Sequence, residues 1–250
     1  MENEAGGSNV GIVVGREKVL IVDSSLFPMK LSQIKGFVKK VINKPVEFVF
    51  VTHYHPDHSF GLDKYDLTRI LSVETFQTLS SLNDKYLEDI KSRVGKEAAT
   101  LKLPCLDNSV TFSEEMEVEL GKRTVRFHRL GGHTHDSSIA HVEDVGVLFA
   151  GDLLISTVHA EVVVDSDMDA WRKALDFMVG LNVSNVVPGH GKVAGKDALS
   201  FTKKYLDFVE EVSEALKTKK MVKIPTEFSK LRFPELLLDG LTDRLLAEFR

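Results

Sequence analysis

Two rhythms of apolar positions alternate along the chain. Short β-branched and aromatic runs predict strands, and stretches with apolar residues three and four apart predict helices. Residues 10–14 and 18–23 flank Gly15-Arg16-Glu17 and predict a hairpin. Between 31 and 42, Leu31, Ile34, Phe37, Val38, Val41 and Ile42 recur at helical spacing with Lys35, Lys39 and Lys40 between them. Asn43 and Pro45 close that helix before a strand at 46–51. A strand at 69–73 leads to a helix over 74–94 that Asn83-Asp84 could split, and Pro104 marks a loop at 101–108. Five short strands follow, at 110–112, 116–120, 124–130, 138–142 and 145–150, and predict an antiparallel meander. Helices at 168–181, 196–219 and 234–249 and a strand at 184–187 complete the pattern, with Trp171, Leu175, Met178 and Leu181 as a core stripe. Strands alternating with helices predict an α/β layer architecture.

The strand ends carry the chemistry. Directly after 46–51 comes Thr52-His53-Tyr54-His55-Pro56-Asp57-His58, three imidazoles and a carboxylate in close succession. On a strand that continues through them, His53 and His55 would leave one face and close on one ion. Pro56 would then redirect Asp57 and His58 towards a second. Imidazole and carboxylate suit zinc, iron or manganese, and the absence of thiolates argues against a structural zinc site. Three further strand-like runs end beside Gly or Pro with one such residue each: His133 in Gly131-Gly132-His133-Thr134, Asp152 after Gly151, and His190 in Pro188-Gly189-His190.

This set closely resembles the metallo-β-lactamase fold superfamily. Its H-x-H-x-D-H motif is matched by His53, His55, Asp57 and His58, its G-H-T by His133, its strand-end G-D by Asp152 and its P-G-H by His190. The resemblance implies a four-layer αββα sandwich, here one domain over residues 1–250 with carboxy-terminal helices over 196–250. It also implies two divalent metal ions, zinc foremost, with iron or manganese open. His53, His55 and His133 would hold one ion, Asp57, His58 and His190 the other, and Asp152 would bridge them. A carboxylate has two oxygens for two cations, whereas an imidazole offers one free lone pair. Asp57, beside the activated water, is the expected catalytic proton carrier.

The remaining candidates stay open between two readings. His135 either lines the mouth or is a polar loop residue. His159 either faces the cleft, as a histidine does in some superfamily members, or belongs to an ordinary loop. Phe27, Tyr54 and Phe60 are further candidates for the pocket wall, His128 and His141 read as structural, and Asp23 reads as a turn or cap residue.

Composition narrows the partners. With 43% hydrophobic residues, the 250-residue chain can bury a substantial core. A net charge of −5 gives no global basic field for nucleic acid, and the lysines at 217–223 read as a solvated helix end. One cysteine, Cys105, excludes an internal disulfide, and with the acidic start Met1–Glu4 this favours a cytoplasmic protein without a secretory signal. No run of about eighteen apolar residues predicts a membrane span. The expected partner is therefore a small-molecule substrate.

The resemblance points first to a hydrolase of a small ester, thioester, lactone or phosphodiester, glyoxalase II-like thioesterases included. β-Lactam hydrolysis is disfavoured, since true β-lactamases of the superfamily generally lack a bridging carboxylate at the place of Asp152. A different class is a mononuclear iron oxygenase of persulfide dioxygenase type, with His53, His133 and Asp152 as a facial triad. The third is a non-catalytic metal-binding module.

Overall fold

In a computed structural model the described residues are 7–63 and 66–248, so the acidic start at Met1–Glu4 and the expected helix end at Phe249 lie outside them. The amino-terminal hairpin is β1 (Gly11–Val14) against β2 (Val19–Val22), antiparallel, with Ile12 opposite Ile21. From β2 the sheet continues in parallel through β3 (Val46–Phe50), β4 (Thr68–Ser72) and β5 (Ser109–Phe112). β5 was expected to open the meander. It pairs with β4 instead, because a four-residue apolar run carries no information about its partner. The second sheet holds the meander proper, β6 (Glu115–Glu119), β7 (Thr124–Arg129), β8 (Ser138–Val142) and β9 (Val147–Gly151). β10 (Asn185–Pro188) adds in parallel to β9, and the two-residue β11 (Ala194–Gly195) closes the edge.

Each strand's two-residue period divides its side chains between layers. Leu20, Val22, Phe50, Ile70 and Phe112 meet Val118, Val125, Phe127 and Ala140 between the sheets. The Phe50 and Phe127 rings are 4.5 Å apart. Ile21, Val49 and Leu71 face outward against Leu31 and Ile34 of α1 (Pro28–Phe37) and Phe76 of α3 (Val73–Ser81). On the far side Ile139, Leu148 and Val186 pack on α5 (Met168–Gly180), α6 (Asp197–Thr218) and α7 (Pro234–Glu248) through Trp171, Leu175, Leu206, Val209 and Leu241. Each such buried Leu, Val or Phe contributes about 1.5–3 kcal/mol relative to exposure. The result is the αββα sandwich.

Helix boundaries follow local chemistry. Ser72 caps α3 by accepting from the Thr75 N–H, and Asn83 starts α4 (Asp84–Val94) by accepting from Tyr86 N–H. The 74–94 stretch is thus two helices, broken at Leu82-Asn83. The first long helix starts at Pro28, three residues earlier than its apolar pattern indicates, and ends in a π-turn over Val38–Ile42 that stops at Asn43 in left-handed conformation. No helix among the described residues is long and apolar enough to cross a membrane.

The topology gathers strand ends. β2 and β3 are parallel, so Asp23 and the segment from Val51 leave the same edge of the first sheet. In the second, β9 is parallel to β10 and, through the antiparallel β8, to β7. The carboxyl ends of β7, β9 and β10 therefore share one edge too.

Candidate metal centre

β3 ends at Phe50, so the strand does not continue through His53 and His55. They stand in a tight turn after it, and Pro56 opens the four-residue helix α2 (Pro56–Ser59) that carries Asp57 and His58. His133 follows β7, Asp152 follows β9 and His190 follows β10.

These seven side chains converge as two groups, His53, His55, His133 and Asp152 in one, and Asp57, His58 and His190 in the other. In the first, His133 Nε2 is 3.2 Å from His55 Nδ1, and Asp152 Oδ2 is 3.5 Å from His133 Nε2 and 3.7 Å from His53 Nε2. In the second, Asp57 Oδ2 lies 3.1 Å from His190 Nε2 and 3.4 Å from His58 Nε2. Asp152 reaches both, with Oδ1 3.3 Å from His58 Nε2 and Oδ2 3.6 Å from His190 Nε2.

Ligands about 2.0–2.1 Å from a tetrahedral ion stand about 3.3 Å from one another. The spacings above fall around that value. His53 Nε2 and Asp152 Oδ1 are also buried without a hydrogen-bond partner, a costly condition for lone pairs unless a cation takes them up. On both counts the residues fit a metal.

A second layer of bonds aims the rings. Asp23 Oδ2 is 2.8 Å from His58 Nδ1 and accepts the Thr52 hydroxyl at 3.0 Å, while Oδ1 accepts the Thr52 N–H at 2.8 Å. The Thr52 oxygen in turn lies 3.0 Å from His53 Nδ1. An N–H on each Nδ1 leaves the Nε2 lone pairs of His53 and His58 pointing into the cluster. Asp23 is therefore not a turn residue alone, although its φ of 63° does turn the chain. The His133 ring packs on Trp171, and its carbonyl accepts the Ser166 hydroxyl at 2.6 Å. Asn9 ties down the His190 loop by donating Nδ2 to the carbonyls of Pro188 and Gly191, each at 2.9 Å.

Electrostatics divides the imidazoles. Burial holds His53 well below the usual histidine pKa and His133 down to about 3, so both are neutral and ligand-competent. For His58, burial is outweighed by the carboxylates of Asp57, Asp152 and Asp23, which raise it well above the usual value. For His190, burial is likewise outweighed by Asp152 and Asp57, which bring it up to about 9. Asp57 and Asp152 are both held below the usual carboxylate range, burial notwithstanding: Asp57 by His58 and His190, Asp152 by His190 and His58.

A cavity of about 240 Å³ opens onto the cluster and is lined by His55, Asp57, His133, Asp152 and His190. Its outer wall includes Asn9, Leu154, His159, Glu161, Arg232 and Phe233. His159 thus faces the cleft, its Nδ1 2.8 Å from the Tyr205 hydroxyl. His135 does not. It turns to Asp165 at 2.8 Å and Thr78 at 3.1 Å, and Tyr54 joins the same Asp165 at 3.3 Å. Phe60 is buried beside α4 with Phe27 packed against the same cluster, so neither is pocket wall. Of the wall residues, Arg232 and Phe233 carry no motif and were not legible as candidates.

The comparisons agree with this architecture. The profile of the metallo-beta-lactamase superfamily matches residues 3–190, and the chain belongs to that superfamily. It is 22% identical over 213 residues to the metallo-beta-lactamase type 2 of Bacteroides fragilis, covering 83% of this chain and 78% of the relative. It is likewise 22% identical over 213 residues to the acyl-coenzyme A thioesterase MBLAC2 of Homo sapiens, covering 77% and 76%. A metallo-beta-lactamase from Pontibacter korlensis has the same fold, with a TM-score of 0.63 at 20% identity over 80% of this chain and 87% of the other.

Proposed function

We propose that the chain is a dinuclear metal-dependent hydrolase acting on a small ester, thioester, lactone or phosphodiester. The observation that carries this reading is the reach of Asp152 into both groups, His133 Nε2 at 3.5 Å and His58 Nε2 at 3.3 Å. His53, His55 and His133 would hold one ion, Asp57, His58 and His190 the other, with Asp152 between. When bound, two divalent ions supply a water of lowered pKa and an electrophile for the carbonyl or phosphoryl oxygen under attack. Zinc is the first choice, with iron and manganese compatible with the same donors.

The protein's own groups do the rest. Thr52 and Asp23 orient the rings of His53 and His58 before any ion arrives. Asp57 lines the cavity with a partly exposed carboxylate whose oxygen can take up the proton of the attacking water. Leu154 and Ile155, buried in the wall, keep bulk water from that side.

A thioesterase among the relatives supports the substrate class, and the β-lactamase among them makes a β-lactam a useful member of the screen. A mononuclear iron oxygenase built on His53, His133 and Asp152 would leave the Asp57, His58 and His190 group without purpose. Metal analysis of the purified protein followed by a screen of esters, thioesters, lactones and phosphodiesters, with a β-lactam beside them, tests the proposal. Two ions per chain and turnover of one class are expected. One iron per chain with oxygen uptake on a persulfide overturns it, and so does a metal-replete protein inert across the screen.

A further inference from the structure

The superfamily profile ends at residue 190, yet the cleft is completed by a segment some forty residues further on. Arg232 donates its N–H to the Thr157 carbonyl at 2.9 Å, and its own carbonyl accepts the His159 N–H at 2.9 Å, forming a short parallel bridge beside Val158. The platform it joins is itself fixed, by His159 on Tyr205 and by the Lys192 N–H on Thr157 Oγ1 at 3.3 Å. The next residue, Phe233, has a φ of 59°, a left-handed conformation that a bulky side chain rarely adopts, immediately before Pro234. Strain of this kind persists where the surroundings hold it, and it clusters at ligand-binding segments.

The effect is to set one guanidinium at the cavity wall. Arg232 is exposed, and among the described residues it has no carboxylate partner. It rests against the Phe233 ring, 4.9 Å from its centroid. Glu161, the other charged wall residue outside the seven-residue cluster, has Arg93, Asp57 and Asp152 as charged neighbours. The apolar part of the same wall is made by Leu154, Ile155, Val158, Phe233 and Leu236. A planar fork of donors beside an apolar surface matches a carboxylate or phosphate carried on a hydrocarbon body.

Building on the hydrolase reading, we infer that Arg232 is a substrate-binding residue that selects anionic substrates. The scissile ester or thioester lies at the seven-residue cluster, an apolar portion lies along Leu154, Ile155 and Leu236, and a terminal carboxylate or phosphate is held by the guanidinium.

The test uses the zinc-loaded full chain and two nitrophenyl esters of equal acyl length, the hexanoate and the half-ester of adipic acid, which differ by one terminal carboxylate. The charged ester is expected to have the higher kcat/KM by about tenfold or more, the scale of one charge-assisted hydrogen bond. That ratio falls towards one in Arg232→Gln and is partly kept in Arg232→Lys, which also guards against a variant that fails to fold. A ratio of one in the unsubstituted enzyme, or a ratio that Arg232→Gln leaves unchanged, overturns the assignment while the hydrolase reading stands. If neither ester is cleaved, the hydrolase reading is decided by the wider screen above, and calorimetry with hexanoate and hexyl phosphate decides the role of Arg232. Affinity about tenfold weaker in Arg232→Gln supports it, and the tighter ligand tells carboxylate from phosphate. Equal affinity in the two proteins, or no binding to either, overturns it.

Discussion

Asp23 Oδ2 stands 2.8 Å from His58 Nδ1, although the two residues are thirty-five positions apart and belong to different segments of the first sheet's edge. The same carboxylate accepts both the N–H and the hydroxyl of Thr52, so one side chain sets the orientation of His58 directly and of His53 through Thr52. Replacing Asp23 with Asn would keep the shape and weaken the acceptor. Metal affinity, read by competition with a chromophoric chelator, is expected to fall about 10–100-fold. Unchanged affinity would show that Asp23 is a turn residue after all.

Gly189 gives a steric test of the same centre. A Cβ there would stand 1.8 Å from Asp152 Oδ1 and 2.9 Å from His58 Cε1. Gly189→Ala must push Asp152 out of its place between the two groups. Zinc content by mass spectrometry is expected to drop while the circular dichroism of the helices and sheets persists. Full zinc retention would mean that Asp152 need not sit where it does.

Metal binding and protons compete. His58 is held well above, and His190 at about 9 against, an ordinary histidine value near 6.5, so both carry protons at neutral pH in the metal-free protein. A raised pKa means the proton stays on until the pH passes the raised value, so metal affinity rises with pH up to about 9. Calorimetry in buffers of different ionisation heat is expected to record net proton release on zinc binding at neutral pH. A titration with no buffer dependence contradicts these protonation states.

On the proposed reading Asp57 would have two duties. As a ligand it would serve the group with His58 and His190 alone, since its oxygen lies 3.1 Å from His190 and 3.4 Å from His58. As a proton carrier it would be worth about 10²–10⁴ in rate. Asp57→Asn is therefore expected to lose turnover by about a hundredfold or more while one ion stays on His53, His55 and His133. Undiminished turnover would show that Asp57 carries no proton in the reaction.

The seven clustered residues were legible because four crowd into one short motif after β3 and the other three each follow a strand beside Gly, and the convergence of those three follows from the parallel directions of β7, β9 and β10. Asp23 was not, because a lone carboxylate after a strand has the same local signature whether it turns the chain or holds an imidazole. Its meaning depends on the parallel pairing of β2 with β3, which brings it beside Thr52. The misplacement of β5 has the same origin, since period and composition describe a strand's faces and say nothing of its neighbour. Arg232 reaches the cleft only through backbone bonds to Thr157 and His159, a relationship no spacing in the letters encodes.

His53, His55, Asp57 and His58 issue from the first sheet, whereas His133, Asp152 and His190 issue from the second. An ion gripped from both sides would act as a rivet between the chain's two halves, in a protein whose single thiol, Cys105, rules out a covalent tie within the chain. Chelation should then do more than silence chemistry: it should loosen the seam along which Phe50 meets Phe127.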